Sequence, residues 1–330
     1  MKLQRRTVLL GATLGAATSL LAACGGGDED HDPLGTIVGV AQANPAFSTL
    51  VAAVVKAGLV DTLSSDSALT VFAPTNAAFD TAATALGFAD GEALVAALSP
   101  ATLVSILTYH VVAGRNLSTS LTAGNLPTIY NFDGSPTALR LSLTGGVSLT
   151  DAVLTSATVT TPDVLARNGV IHVIDKVLVP PGVLNVVQMA QLNSSFSSLV
   201  SAVVSAGLVD TLSAAAPLLT VFAPVNAAFA AIASTVEALT TEQLTTVLAH
   251  HVLTGQVLSS GIPFGTAVTT LAEQDITINN DATAPAIATI TDASGSAPAA
   301  NIVAVDVRAS NGVIHVIDKV LIPVLGPAPA

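Results

Sequence analysis

Apolar and polar positions alternate along this chain with two periods, and each pattern is written twice. In AFSTLVAAVVKAG, residues 46–58, Phe47, Leu50, Val51, Val54 and Val55 recur at the spacing of a helix with one buried face. Asn44-Pro45 offers an N-cap with proline at the first helical position, and Gly58 offers the stop. LTVFAP, residues 69–74, is a short apolar run closed by proline, which predicts a buried strand. Ser99-Pro100 opens a second helix that runs into Tyr109-His110, and in the later copy Thr240 and Gln243 have capping-box spacing. NGVIHVIDKVL at 168–178 has strand period: Val170, His172, Ile174, Lys176 and Leu178 share one face, and Ile171, Val173, Asp175 and Val177 the other. Both faces are largely aliphatic, so this strand is expected to be central and covered on both sides.

The second writing of each block follows at a nearly constant distance. AFSTLVAAVVKAGLVDTLS (46–64) returns at 195–213, LTVFAPTNAAF (69–79) at 219–229, ILTYHVVAG (106–114) at 247–255, and NGVIHVIDKVL unchanged at 311–321. The offsets are 149, 150, 141 and 143, so the length changes fall between blocks, as in a duplicated domain whose loops vary. Asn168-Gly169 and Asn311-Gly312 are favoured for a type I′ turn into the repeated strand, so each unit should mix helices with mainly antiparallel strands. Pro180-Pro181-Gly182 reads as a short, stiff junction, 281–300 as an extended loop or weak hairpin, and 324–330 as a disordered tail.

The N-terminus changes the setting. Residues 1–23 have a basic start (Lys2, Arg5, Arg6) and an apolar stretch from Val8 to Ala23, the form of a signal peptide. Leu21-Ala22-Ala23-Cys24 resembles the bacterial lipobox, in which the cysteine is lipidated and anchors the mature chain. Cys24 is also the one cysteine of the 330 residues, which excludes an intrachain disulfide and a thiolate metal cluster. Arg5-Arg6 before Thr7-Val8-Leu9 also resembles a twin-arginine export signal, and Sec export fits equally. Residues 24–33 read as a flexible tether, and Gly25 after the cysteine implies outer-membrane sorting, facing the periplasm or the cell surface. Without residues 1–23, seven basic residues stand against 22 acidic ones, a net charge of −15. Nucleic acid is thereby excluded as a partner, and contact with the membrane is left to the acyl anchor. The absence of tryptophan, with 3% aromatic residues, argues against a sugar-stacking platform.

Catalytic patterns are missing. There is no GxSxG elbow, SxxK pair, HExxH or phosphate-cradling glycine loop, so neither an enzyme nor a cofactor is expected. His110 with His172, and His251 with His315, joined by Asp175 or Asp318, are suitable metal ligands by type, but their spacing is not compact, so no metal site is expected. Asp61 and Asp210 recur after Gly-Leu-Val and read as solvated turn residues or caps. His172 and His315, set among aliphatic neighbours, read as core histidines that fasten the fold through hydrogen bonds.

Together these blocks resemble the fasciclin (FAS1) domain. TVFAPTNAAF and TVFAPVNAAF look like its first signature, NGVIHVIDKVL like its second, and Tyr109-His110 like the tyrosine–histidine motif between them; in the second copy His250-His251 stands there, with histidine in place of tyrosine. The resemblance covers 34–180 and 183–323. It implies an α+β fold of two tandem domains, each a β-sandwich or wedge flanked by helices. It also implies a role in cell adhesion, with Tyr109, His110, His250 and His251 as the interaction motif. That motif is implicated in integrin binding in animal members; its position is carried over here and that ligand is not. The expected protein is a non-enzymatic, lipid-anchored adhesion or interaction module of the bacterial envelope. Its partner would be an envelope or extracellular-matrix protein or polysaccharide. The alternative is a periplasmic small-molecule or lipid-binding protein with an apolar pocket between sheet and helices.

Overall fold

The computed structural model describes residues 34–280, 286–292, 294 and 298–325. Residues 1–33, where the signal peptide, Cys24 and the tether are expected, lie outside the described residues, as do residues 326–330 and part of 281–300. In the first repeat the strands are β1 (Leu69–Pro74), β2 (Val111–Ala113), β3 (Gly124–Phe132), β4 (Ser135–Ser142), β5 (Ser148–Thr150), β6 (Ser156–Ala166) and β7 (Gly169–Ile174). They form one sheet in the order β2-β1-β7-β6-β5-β4-β3. The second repeat reproduces this order with β8 (Leu219–Pro224), β9 (Val252–Thr254), β10 (Ala267–Thr269), β11 (Asp275–Asn279), β12 (Ala288–Thr291), β13 (Ala300–Ala309) and β14 (Gly312–Ile317). All pairings are antiparallel except the central ones, β1 with β7 and β8 with β14, which are parallel. In the first repeat β2 also approaches β3, so the sheet curls nearly shut.

Alternation along the central strands separates two cores. Val71, Ala73 and Ile171 face the helices, where Phe47, Leu50, Val54, Phe79, Leu103 and Leu107 cover them. Phe72, Ile174 and Leu178 face into the curled sheet with Leu139, Leu141 and Leu149. The long strand β6 serves both halves because it is bulged: its register against β7 shifts between Val159, Thr161 and Val164. β13 carries the equivalent bulge. The caps form as their residues dictate. Asn44 caps a 3₁₀ turn, Pro45–Phe47, that leads into helix Ser48–Lys56; Ser99 caps Pro100–Tyr109; Thr240 and Gln243 make a capping box on Thr241–Ala249.

Two local expectations are corrected, at the turn before β7 and in the tail, while the hairpin alternative for 281–300 agrees with the antiparallel pairing of β12 and β13. The turn before β7 is not type I′, because Ala166 pairs with Gly169 and the two turn residues, Arg167 and Asn168, have ordinary negative φ. Gly169 is instead the first residue of β7, and a Cβ there would lie 2.0 Å from the Leu69 carbonyl oxygen; at Gly312 the distance to the Leu219 oxygen is 2.1 Å. The asparagine before each glycine is buried and bonds three backbone groups: Asn168 accepts from Ile37 N–H and donates to the carbonyls of Leu63 and Ser65. Within 281–300, the described residues contribute β12 and the start of β13 to the sheet. Val324, expected in a loose tail, exchanges two backbone hydrogen bonds with the Gln274 amide.

The repeats meet in a packed junction. Gly182 has φ +77°, and its Cα passes so close to Phe132 that a Cβ would overlap the ring. The Arg308 guanidinium lies over the Phe132 ring, 5.1 Å from its centroid, and pairs with Asp133 at 2.7 Å, while the Arg308 carbonyl accepts from Gly182 N–H. Val153 of the first repeat is buried in the core of the second, and Asn193 donates to its carbonyl.

Candidate functional site

The last turn of helix Pro100–Tyr109 carries Tyr109 and His110 inward. The helix buries Leu103, Ile106 and Leu107, and His110 continues the same stripe. Tyr109, His110, His250 and His251 are all at most 2% exposed. They cannot touch a partner directly, so their reading as an exposed interaction motif is corrected: burial turns them into fasteners. His110 Nε2 accepts from Leu178 N–H at 2.9 Å, which leaves the proton on Nδ1 to donate to Ile106 O at 2.8 Å. His251 repeats this between Leu321 N–H and Val247 O, each at 2.8 Å. One imidazole thus ties the end of a helix to the segment leaving the central strand. Burial lowers the pKa of each ring to about 4, against the opposing backbone bond; Lys176 lowers His110 further, and His250 lowers His251.

The residue before each of these histidines differs in chemistry. Tyr109 packs edge-on against Tyr130, and burial with the nearby Asp151 carboxylate holds its phenol well above the usual range. His250 bonds Thr270 Oγ1 at 3.1 Å; that hydroxyl donates to Gln274 O, so His250 Nδ1 is the donor. Its Nε2 is buried without a partner among the described residues, and burial lowers its pKa.

His172 and His315 sit opposite the bulges. Asp163 takes a left-handed φ of 60° in β6, and its N–H turns out of the ladder toward His172 Nδ1 at 3.3 Å. The His172 Nε2–H then donates to Asn116 O at 2.9 Å, and the ring stacks on Phe72 with centroids 5.3 Å apart. His315 meets Asp306 N–H and Val257 O in the same way. A histidine in an aliphatic strand is explained by this geometry: a bulge strands one backbone donor, and a ring with an acceptor and a donor on opposite sides satisfies it. The Asp163 carboxylate accepts from the backbone and hydroxyl of Ser118, which lowers its pKa.

Asn76 went unremarked in the sequence although it stands in the first signature block. Its side chain accepts from Thr49 N–H and donates to Pro45 O and Ser48 Oγ, stapling helix Asn76–Ala85 to the start of helix Ser48–Lys56. Its recurrence as Asn226 at the same place in the repeated block was the available signal.

Each repeat holds a small apolar cavity of about 30 Å³ between helices and sheet, at equivalent places, with His110 or His251 at one side. That is room for about a water, far below the ~150 Å³ that accepts a benzene-sized molecule. A cleft of about 430 Å³ opens at the junction between the repeats, lined by Phe132, Arg140, Asp151, Asp306 and Arg308. Its charges are mixed: Asp151 is paired with Lys176 and Arg308 with Asp133. Among the described residues no three His, Cys, Asp or Glu side chains gather as metal ligands, and no helix is long and apolar enough to cross a membrane. Asp61 and Asp210 lie exposed in the first turns of short helices.

Two copies of one curled seven-stranded sheet, each locked by the same buried histidines and asparagines, define a tandem domain protein. The profile of the Fasciclin domain matches residues 45–180 and 194–323, and the chain belongs to that family. It is 43% identical over 146 residues to protein sll1483 of Synechocystis sp., covering 44% of this chain and 74% of that protein. It is 37% identical over 156 residues to cell surface glycolipoprotein MPB83 of Mycobacterium bovis, covering 46% of this chain and 62% of the relative. A FAS1 domain pair from the insect cell adhesion molecule fasciclin I aligns over 86% of this chain and 98% of that one, at 17% identity and a TM-score of 0.43. Fasciclin domains occur in cell-adhesion and surface proteins.

Proposed function

We propose that this protein is a non-enzymatic adhesion or interaction module of the bacterial cell envelope, anchored by lipid on Cys24 and acting through the outer surfaces of its two fasciclin domains. The observation that carries this reading is how little the interior leaves for a ligand. The apolar cavities hold about 30 Å³ each, and the ring nitrogens of His110, His172, His251 and His315 are all spent on backbone groups. The alternative of a lipid carrier needs a pocket an order of magnitude larger. Recognition therefore falls to surfaces, and two linked surfaces can gain roughly 10²–10⁴ in avidity when both engage one target. The membrane link and envelope setting rest on the leader and Cys24; the similarity to a cell surface glycolipoprotein supports them.

The test is retention. Soluble protein comprising residues 25–330 is coupled to beads and challenged with the producing cells and with envelope or matrix fractions. Retention well above blank beads, competed by free protein, is expected. No retention, together with an organic molecule co-purifying in native mass spectrometry, refutes adhesion in favour of a carrier.

A further inference from the structure

The two repeats differ most where the offset falls from 150 to 141, between the second and third matched blocks. In the first repeat a ten-residue helix, Asn76–Ala85, is followed by a second, Gly91–Ala97, which buries Leu94 and Val95 against its neighbours. Lys56, at the end of helix Ser48–Lys56, fastens that second helix by donating to the carbonyls of Val95 and Ala96 at 2.9 and 2.6 Å. In the second repeat the first helix shrinks to Asn226–Ala230, and the second, Ala233–Glu237, has no buried residue. At the positions of the fasteners stand different residues: Thr235 for Leu94, Glu237 for Ala96 and Ser205 for Lys56. Between helix Ser197–Ser205 and this shortened pair lies an open groove of about 500 Å³, and Ala202 and Phe229 in its lining are the counterparts of Ala53 and Phe79, which stand beside Leu94 in the first repeat. Ala202, Phe229, Val236 and Leu244 line it, and serines of helix Ser197–Ser205 form its rim.

We infer that this groove is a docking site for a short helical peptide segment of a partner protein, presenting an adjacent pair of aliphatic side chains and a basic residue. The first repeat shows what the floor accepts: a Leu-Val pair on a one-to-two-turn helix. Glu237, the charged side chain of the lining, supplies the complement for a lysine or arginine of the incoming segment. The inference is independent of the adhesion reading, since a peptide can bind whether or not cells are retained.

The probe is a fluorescent peptide of residues 89–99 of this chain, ADGEALVAALS, with lysine appended, titrated into residues 25–330 by fluorescence polarisation. A second peptide carries serine at both positions of the Leu-Val pair. Binding of the first, at least tenfold tighter than the second, is expected. The groove is then closed in cis by the triple variant Ser205→Lys, Thr235→Leu, Glu237→Ala, which restores the fasteners of the first repeat. Its peptide affinity should drop at least tenfold while its melting temperature stays level or rises. Separately, Glu237→Gln should weaken the lysine peptide severalfold and leave a lysine-free one unchanged. Equal binding of both peptides, or a closed variant that binds as before, overturns the proposal. So does sedimentation showing that the chain self-associates through this groove, with dimer lost in the closed variant.

Discussion

Lowering the pH from 7 to 5 should destabilise this protein through two side chains that never reach solvent. His110 and His251 are fully enclosed, and each has its pKa lowered from 6.5 to about 4. A histidine depressed in the folded state binds its proton more readily in the unfolded chain. Its stabilising contribution is therefore complete above pH 6.5 and is lost as pH falls toward 4. The shift implies a loss of about 2 kcal/mol per ring by pH 5 and about 3 kcal/mol near pH 4, set against a total stability of roughly 5–15 kcal/mol. Ordinary carboxylates stay ionised down to pH 5; His250 and His315, also lowered by burial, add to the slope, so the share of His110 and His251 is read from variants. Urea unfolding of residues 25–330 at pH 7, 6 and 5, followed by circular dichroism, measures the slope. His110→Gln should be less stable at pH 7, because Leu178 N–H or Ile106 O loses its partner, yet lose less on acidification. The double variant with His251→Gln should be flatter still. An unchanged slope in the variants would falsify the assignment of these rings as buried, neutral fasteners.

Other outcomes follow from close contacts and from the leader. Gly169→Ala places a Cβ 2.0 Å from the Leu69 carbonyl oxygen and should cost roughly 3 kcal/mol or more, read as a lower urea midpoint. Gly182→Ala drives a methyl into the Phe132 ring at a φ of +77°; calorimetry should show one unfolding transition split into two as the repeats uncouple. Cys24→Ser should move the protein from the membrane fraction to the soluble exported fraction, and palmitate labelling should disappear with it; a variant that stays on the membrane refutes the anchor.

Much of the fold was legible because the chain states it twice. The periodicity of 46–58 and the cap pairs Asn44-Pro45 and Ser99-Pro100 fixed the helices, and the aliphatic faces within 168–178 marked a strand covered on both sides, although it spans only Gly169–Ile174 and residues 175–178 leave the sheet. The parallel pairing of β1 with β7 was not legible, since nothing local in LTVFAP distinguishes a parallel neighbour from an antiparallel one. The turn at Asn168 was misread because the asparagine acts through contacts with Ile37, Leu63 and Ser65, more than a hundred residues away. Tyr109-His110 is an interaction motif only by what the resemblance implies, and the sequence does not show which side chains of that motif are buried. The descent of Leu178 N–H onto the imidazole shows it for His110. The groove of the second repeat was foreshadowed by the nine-residue drop in offset, but a deletion does not say whether its neighbours close over the gap.

The duplicated strands raise a problem of order that neither repeat has alone. β1 and β8 are both LTVFAP, and β7 and β14 are both GVIHVI. Side-chain complementarity therefore gives β1 no reason to prefer β7 over β14, and crossed pairing is a known hazard of tandem repeats. Time supplies the preference. β7 is complete about 45 residues before β8 begins, and both synthesis and passage across the membrane from the N-terminus deliver them in that order. The first domain can close its central pair before a rival strand exists. Refolding of the full chain from denaturant removes that lead, and interleaved domains are the expected by-product, where synthesis in sequence yields the correct pair.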